Sequence, residues 1–327
     1  MQVLIGLKPL RMSIKPLIPL VCFLFLFSCY RVPRDIEPKI NYTVQDRYLK
    51  SLPSPFAPLT PEEKETAWGK EYQIGLAFAR DLDLYRAITS FRRAEILAGD
   101  HHKKRKLEMK YEILLCYYMG RRYNELVEAY NSSGLSQVTT EFPAFEDLLI
   151  LLYDSFTQLC ECDKAEHILR IIQQHYPAAY KTLRLSSALE CADFPVLEEI
   201  NSCPPERPYL SDFLCHYEAN CKSPTTAGLL NAVIPGSGYL YVGQTQTAIT
   251  AFLVNGLFIA ASVHFFRKGP IAAGIITTSF EAGWYFGGIY GASAEAKFYN
   301  ERLYECNASP LMNREGLFPV FMLKYSF

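Results

Sequence analysis

The sequence lacks both a charge imbalance and a recognisable catalytic fingerprint. Its 33 Lys and Arg residues nearly cancel its 34 Asp and Glu residues, which leaves a net charge of −1 at pH 7. Such a balance gives no electrostatic reason to expect binding to nucleic acid. No G-x-S-x-G, H-E-x-x-H, Walker, dinucleotide-binding or paired-carboxylate signature occurs. We therefore predict a binding protein, not an enzyme, with no cofactor and no catalytic or metal-ligating residue.

Formal charge is also absent from a nineteen-residue stretch, residues 248–266. A helix rises about 1.5 Å per residue, so this stretch would be roughly 28 Å long, close to the thickness of the hydrocarbon core of a bilayer. A second apolar stretch, at about 271–294, follows the short turn 267–270 and contains one acidic residue, Glu281. The sequence predicts a transmembrane helical hairpin, with the lipid bilayer as its partner.

Small residues form a stripe along the second predicted helix. Ser279, Gly283, Gly287 and Gly291 recur at four-residue intervals, which places them on one face of a helix. Small side chains let a second backbone approach closely in lipid, where no hydrophobic effect drives helices together. We predict that the stripe is a helix-packing face, used within the hairpin or between copies of the chain in a homo-oligomer.

Two polar residues lie inside the predicted spans, Asn255 and Glu281. A charge is costly in hydrocarbon, so we expect Glu281 to face the hairpin interior or a water-filled cavity, with Asn255 among the residues able to bond to it. One interpretation is a hydrogen bond that fixes the register of the two helices, and the alternative is an ion or proton path. The absence of a second acid or a lysine along such a path favours the first interpretation.

A run rich in Pro and Gly precedes the hairpin. Residues 235–244, PGSGYLYVGQ, interrupt an apolar segment at a point where Pro and Gly would break a spanning helix. We therefore expect a half-helix before the two spans, and a membrane domain over 223–305. The run and the two hydrophobic helices after it resemble the P-G-x-G-x-x-Y-x-G-Q motif of small bacterial membrane domains of the TM-two type. This resemblance covers about a fifth of the chain and implies a topology without any catalytic residue.

The N-terminus has the order of residues expected of an export signal. Basic residues precede the apolar run 17–27, which leads into Ser and Cys29. Basic, apolar and small residues in this order predict a signal peptide over 1–29. Its ending resembles a bacterial lipobox, which implies that Cys29 carries lipid; an uncleaved anchor is the alternative. Arg267 and Lys268 in the hairpin turn place that turn in the cytoplasm by the positive-inside rule, so the rest of the chain lies on the exported side.

A proline-rich linker over 30–61 leads to a predicted helical domain over 62–222. In this domain Ala87, Leu126 and Ala165 are separated by 39 residues each. Small and aromatic residues around them fall at the relative spacing of the tetratricopeptide repeat, which the chain resembles over roughly 62–200; in the first unit these are Ile74, Gly75, Phe78, Ala87, Phe91 and Ala94. The resemblance implies a solenoid of helical hairpins, with a degenerate fourth hairpin from about residue 186. An irregular helical domain is the alternative.

The cysteines and the C-terminal tail lead to two further predictions. Of ten cysteines, eight remain besides Cys22 in the signal and Cys29. Free buried thiols are the default expectation for these, although an oxidising compartment would permit bridges. The tail, residues 306–327, is predicted to end in a short strand, because alternate residues on one face are apolar: Phe321, Leu323, Tyr325 and Phe327.

Taken together, these features predict a mainly α fold, a tetratricopeptide-like solenoid followed by a transmembrane hairpin. The expected function is a membrane-anchored scaffold or adaptor of the bacterial cell envelope, with other envelope proteins as partners. The repeat domain is expected on the periplasmic side, with the inner membrane favoured. Two alternatives stay open: an outer-membrane assembly lipoprotein, which the helical hairpin disfavours, and a subunit of a small transporter or channel that uses Glu281.

Overall fold

The computed structural model describes residues 32–33, 35–42, 46–202 and 207–327. Within these ranges the chain is mainly helical and contains no strand. The predicted signal peptide and Cys29 lie outside the described residues. The chain divides into two units. We call Asp212–Glu305, with the described residues up to Pro38, the apolar unit, and Lys39–Ser211 with Cys306–Phe327 the helix-pair unit.

The helix-pair unit is built from helices joined two by two. Two short helices come first, α1 (Asp46–Ser51) and α2 (Pro61–Glu65). Four pairs follow in chain order: α3 (Ala67–Arg80) with α4 (Leu84–Ala98), α5 (Lys103–Met119) with α6 (Tyr123–Ser133), α7 (Phe145–Gln158) with α8 (Cys162–His175), and α9 (Pro177–Glu190) with α10 (Phe194–Ser202). A 3-10 turn, Leu135–Gln137, separates the second pair from the third.

Side-chain caps begin the first of these helices. Thr60 and Glu63 form a capping box at α2, in which the Glu63 amide donates to Thr60 Oγ1 at 3.2 Å and the Thr60 amide donates to Glu63 Oε2 at 2.9 Å. Thr66 accepts the Gly69 amide at the start of α3, and Asp83 accepts the Arg86 amide at the start of α4. Each cap satisfies a main-chain donor that the first helical turn leaves without a partner.

One turn geometry recurs within all four pairs. Three main-chain hydrogen bonds close each turn in the same pattern; in the first pair, the amides of residues 81–83 bond to carbonyls of residues 77–79. Each turn contains one non-glycine residue with a left-handed backbone: Leu82 (φ 59°), Arg121 (φ 54°), Cys160 (φ 58°) and Ala192 (φ 51°). A buried side chain lies five residues after each of these: Ala87, Leu126, Ala165 and Leu197. The first three are the positions predicted to mark helix crossings.

The fourth pair begins earlier than the sequence analysis places it. It starts at Pro177, directly after Tyr176, and not near residue 186. Proline at the first position of a helix costs no hydrogen bond, because the amide of that position has no intrahelical partner. Pro177 therefore begins α9 in addition to ending the third pair, and the fourth turn follows the third after 32 residues instead of 39.

The proline-rich segment from Lys39 onward packs against the helix-pair unit instead of extending away from it. Phe56 is buried, and its ring lies 5.6 Å from the rings of both Tyr111 and Phe142. The ring of Tyr42 lies 4.8 Å from that of Phe318. Aromatic pairs at these distances add to the stability gained from burial alone, so this segment contributes to the core.

The predicted C-terminal strand is wrong. The structure places a 3-10 turn at Pro319–Met322 within the tail, and the tail pairs with no strand among the described residues. Its main-chain amides bond elsewhere: those of Lys324 and Tyr325 donate to Asp147, both at 3.0 Å, and that of Ser326 donates to the Pro53 carbonyl. The alternation of apolar residues reflects burial against the helices, because a core can bury alternate side chains of an irregular segment too.

The apolar unit contains two long helices. After α11 (Pro208–Asn220), α12 (Pro224–Val233) and the short α13 (Ser237–Tyr241) come α14 (Thr245–Lys268) and α15 (Ile271–Arg314). Among the described residues, α14 is the one helix that is both long enough and apolar enough to cross a bilayer, with a mean hydropathy of 1.8. The 44-residue α15 continues well past 294, where the second span is predicted to end, because charged side chains end a span but are compatible with a helix in water.

Candidate functional site

The start of α15 contacts the end of α14 at two places near the loop that joins them. Gly269, with φ +100°, ends α14 in the left-handed conformation that favours glycine. Gly274 lies against Phe266, because a Cβ added there would come 2.8 Å from the Phe266 ring. One turn further from the loop, Ser262 Oγ donates to Thr277 Oγ1 at 3.1 Å. These two hydroxyls therefore make a polar bond between the two helices near the loop.

The two predicted intramembrane polar residues are buried but do not bond to each other. Asn255 is 3% exposed, and its amide nitrogen donates to the Ala251 carbonyl of its own helix at 2.6 Å. Glu281 is 8% exposed. Asn255 Oδ1 and both carboxylate oxygens of Glu281 have no hydrogen-bond partner among the described residues. The described part of the apolar unit thus contains three buried acceptors without a partner, and their desolvation is unfavourable unless a donor or proton reaches them.

In the predicted small-residue stripe, Gly291 packs closely against a neighbouring side chain and the other three residues do not. A Cβ added at Gly291 would come 2.3 Å from the Tyr239 hydroxyl, so this glycine is needed for close packing. Cβ atoms added at Gly283 and Gly287 would meet nothing within 4 Å. Ser279 is exposed, and its hydroxyl donates to the Ile275 carbonyl one turn earlier. Among the described residues, three of the four stripe residues therefore have no close contact with another helix.

Other glycines, which the sequence analysis missed, make the close contacts between α12, α13 and α15. A Cβ added at Gly238 would lie 2.2 Å from the Ala227 carbonyl oxygen and 2.8 Å from Ala292 Cβ. A Cβ at Gly228 would lie 2.4 Å from Ser293 Oγ. Gly238 belongs to the PGSG run, so the motif itself carried the signal: its glycine allows α13 to approach its neighbours.

Large apolar side chains cover the surface of α14 and of the first turns of α15. Only 11% of the most apolar window of α14 is buried. The exposed residues of the two helices include Ile249, Phe252, Leu253, Leu257, Ile259, Val263, Ile271, Ile275, Ile276, Phe280 and Trp284. Soluble monomers rarely expose so large a continuous apolar surface, which marks contact with a membrane or another protein.

A polar cluster closes one end of the apolar unit. The main-chain amide of Lys222 donates to Asn300 Oδ1 at 2.7 Å, and Asn300 Nδ2 donates back to the Lys222 carbonyl at 2.8 Å. The Lys222 ammonium lies 5.1 Å from the ring centre of Tyr241, whose hydroxyl accepts the Ser223 amide. Tyrosine rings and lysine ammonium groups favour the level of lipid headgroups, so this cluster is typical of a membrane boundary.

The helix-pair unit contains buried acids that the sequence analysis did not single out. Asp147 on α7 accepts the two tail amides with Oδ2, and burial raises its pKa to about 7. Asp154 lies two turns later on the same helix. It accepts a hydrogen bond from the Tyr118 hydroxyl at 2.6 Å, and burial raises its pKa. Glu112 on α5 is fully buried, and its carboxylate oxygens have no partner among the described residues. The acids inside the apolar run FEDLLILLYDSF were the available signal for Asp147 and Asp154.

Among the described residues, no group of three or more His, Cys, Asp or Glu side chains is placed to hold a metal ion. A cleft of about 300 Å³ lies between α4, α5 and α6, but its lysine, Lys110, is bonded to the Ser133 carbonyl at 2.7 Å and paired with Glu95 at 3.5 Å. Comparison of the chain with protein-family models, with curated proteins and with solved structures finds no match.

Proposed function

We propose that this chain is a membrane-anchored adaptor of the bacterial cell envelope, which binds other envelope proteins through its helix-pair unit. The observation that carries the proposal is the surface of α14, a 24-residue helix that exposes aliphatic and aromatic side chains over most of its length. An apolar surface of that length is stable in hydrocarbon and unfavourable in water.

The hairpin formed by α14 and the start of α15 is the proposed anchor. The Ser262–Thr277 hydrogen bond and the Phe266–Gly274 contact support it, since both lie where two antiparallel helices would meet. Arg267 and Lys268 end α14, and the positive-inside rule assigns them to the cytoplasm. The remainder of the chain then lies outside the cytoplasm, in agreement with the proposed lipobox at Cys29.

The four similar turns support a solenoid that resembles tetratricopeptide repeats. Each turn has the same pattern of hydrogen bonds and a left-handed residue at the same position, which supports the interpretation of each pair as one copy of a supersecondary unit. Stacked units of this kind present extended surfaces that bind other proteins. The first pair has such a surface: Tyr85 and Ile96 are 77% and 79% exposed, and their spacing of eleven residues places them on one face of α4.

Site-specific crosslinking tests the adaptor. A photoreactive residue at Tyr85 or Ile96 should capture a discrete set of envelope proteins in intact cells, whereas the same residue at Glu128, which is exposed on α6, should capture fewer. Equal capture at the three sites would count against a binding face on α4.

Cell fractionation tests the location. Metabolic acyl label should enter the wild-type protein and not the Cys29→Ala variant, and protease should degrade the helix-pair unit only after the outer membrane is opened. Degradation only after the inner membrane is opened would overturn the proposed side.

A second candidate function is a small conduit that uses Glu281. The observation in its favour is the buried carboxylate without a hydrogen-bond partner. The Glu281→Gln variant separates the two functions, because an adaptor would keep its crosslinked partners whereas a conduit would lose ion flux in reconstituted vesicles.

A further inference from the structure

The helices α8 and α9 bring two cysteines to the same end of an antiparallel pair. Each helix has fourteen residues, and Tyr176 alone separates them. At about 1.5 Å rise per residue they have equal lengths of roughly 21 Å, so the first turn of α8 lies beside the last turn of α9. Cys162 is the first residue of α8, and Cys191 directly follows the last residue of α9.

Both thiols are at the surface, contrary to the default expectation of buried thiols. Cys162 and Cys191 are exposed, as is Cys160 in the turn before α8. The Cys162 Sγ lies 3.8 Å from the carbonyl oxygen of Cys160. Partial burial of the side chain is the main reason that the pKa of Cys191 is raised. The charges of Glu190 and Asp193 and the thiol of Cys162 raise it further. The interaction between the two sulfur groups agrees with their placement at one end of the helix pair.

We propose that Cys162 and Cys191 form an intramolecular disulfide by thiol–disulfide exchange with a disulfide-bearing donor. The thiolate of one of these cysteines attacks one sulfur of the donor, the donor S–S bond breaks, and one donor thiolate leaves. The thiolate of the other cysteine then attacks the chain's sulfur in the mixed disulfide, and the second donor thiolate leaves. The two thiols of the chain are oxidised, the donor disulfide is reduced to two thiols, and these take up the two protons.

The surroundings of the two sulfurs give neither thiol precedence. Cys162 lies between Glu161 and Asp163, and Cys191 lies between Glu190 and Asp193, so each thiolate is disfavoured by acidic neighbours. Both thiols are exposed, so a donor can reach either one, and the other thiol completes the reaction within the chain.

The bond would join the turn of the third pair to the turn of the fourth. It would close a loop from Cys162 to Cys191 that contains the whole of α8 and α9, and so would hold this helix pair together. In the cell the donor belongs to an oxidising compartment, so occurrence of the bond in vivo rests on the proposed export. Formation of the bond in the purified chain does not depend on it.

Peptide mapping of the purified full chain in detergent tests the inference. After reduction and removal of the reductant, the protein is incubated with oxidised glutathione, remaining thiols are blocked with N-ethylmaleimide, and the protein is digested. We expect a linked peptide that contains Cys162 and Cys191, reversed by dithiothreitol. Cys160→Ser should retain the linked peptide, whereas Cys162→Ser and Cys191→Ser should each lose it.

Other products would overturn the proposal. These are a Cys160–Cys162 bond as the main species in the wild type, or glutathione or maleimide on both Cys162 and Cys191 with no linked peptide. A second sample, alkylated during lysis of growing cells, separates this inference from the proposed location. Linkage in vitro with reduced thiols in that sample would support the disulfide site and contradict export of the helix-pair unit.

Discussion

Replacing Asp147 with Asn tests how strongly burial controls the stability of the helix-pair unit. Asp147 is fully buried, and burial raises its pKa from 3.8 to about 7, although the amides of Lys324 and Tyr325 oppose the rise. Between these two values the folded chain binds a proton that the unfolded chain does not. The free energy of unfolding therefore decreases as the pH rises from about 4 to about 7, and this contribution is constant above pH 7.

The size of the effect follows from the change in pKa. At about 1.4 kcal/mol per pKa unit, the change from 3.8 to about 7 corresponds to at most about 4 kcal/mol. Relaxation and water penetration lower this to roughly 1–3 kcal/mol. The Asp147→Asn variant keeps an acceptor oxygen for the two tail amides, but its NH₂ group replaces Oδ1, which has no partner, at a cost of about 1 kcal/mol.

The variant should therefore be more stable than the wild type at pH 8, by up to about 2 kcal/mol, and less stable at pH 5, by about 1 kcal/mol. The measurement is urea unfolding of the full chain in detergent micelles at pH 5, 6, 7 and 8. The chain has two tryptophans, and Trp68 is buried in α3. In a Trp284→Phe background, its fluorescence reports on the helix-pair unit alone.

The matched control is Glu141→Gln, which removes an exposed carboxylate from a loop of the same unit. Its stability should follow that of the wild type at every pH. Two results would refute the reasoning: an Asp147→Asn curve parallel to the wild-type curve from pH 5 to 8, or a variant less stable than the wild type at pH 8. Either would mean that the buried carboxyl is already ionised at little cost.

Four further substitutions, one of them a control, probe the packing, and each is measured as thermal unfolding in detergent. Gly238→Ala should destabilise the apolar unit by about 1–3 kcal/mol, because its Cβ would overlap main-chain and side-chain atoms, whereas Gly283→Ala should change its stability by less than about 0.5 kcal/mol. Ser262→Ala should cost about 0.6 kcal/mol through loss of the bond to Thr277; a cost above about 2 kcal/mol would show a larger role for that hydroxyl. Phe318→Ala should cost about 3–5 kcal/mol, because this tail side chain is 1% exposed, and a loss below about 1 kcal/mol would mean that the tail does not contribute to the core.

The helical character and the regular spacing of the pairs were predictable from sequence because both depend on local or repeated patterns. Ala87, Leu126 and Ala165 are 39 residues apart and all buried. The fourth pair departs from this spacing, because its turn follows the third after 32 residues, so the repeat distance did not locate its buried residue, Leu197. The left-handed residues of the four turns were not predictable, because Leu, Arg, Cys and Ala have no special preference for that conformation.

In the apolar unit, the sequence predicted which residues are buried better than it predicted their partners. Asn255 and Glu281 are both buried, as their polarity inside an apolar run suggested. The hydrogen bond between the helices is nevertheless formed by Ser262 and Thr277. A one-residue change of register decides which side chains meet, and hydropathy contains no information about register.

The tail shows that a local sequence pattern does not identify hydrogen-bond partners that are distant in the chain. Alternation of apolar residues predicts a strand only if a neighbouring strand supplies acceptors for its amides. Here the acceptors are a carboxylate 177 residues away in sequence and the carbonyl of Pro53. The signal for this arrangement lay in α7, where an acid inside an apolar helix requires donors from elsewhere in the chain. The burial of Asp147 and the irregular course of the tail are thus one feature, and neither is predictable without the other.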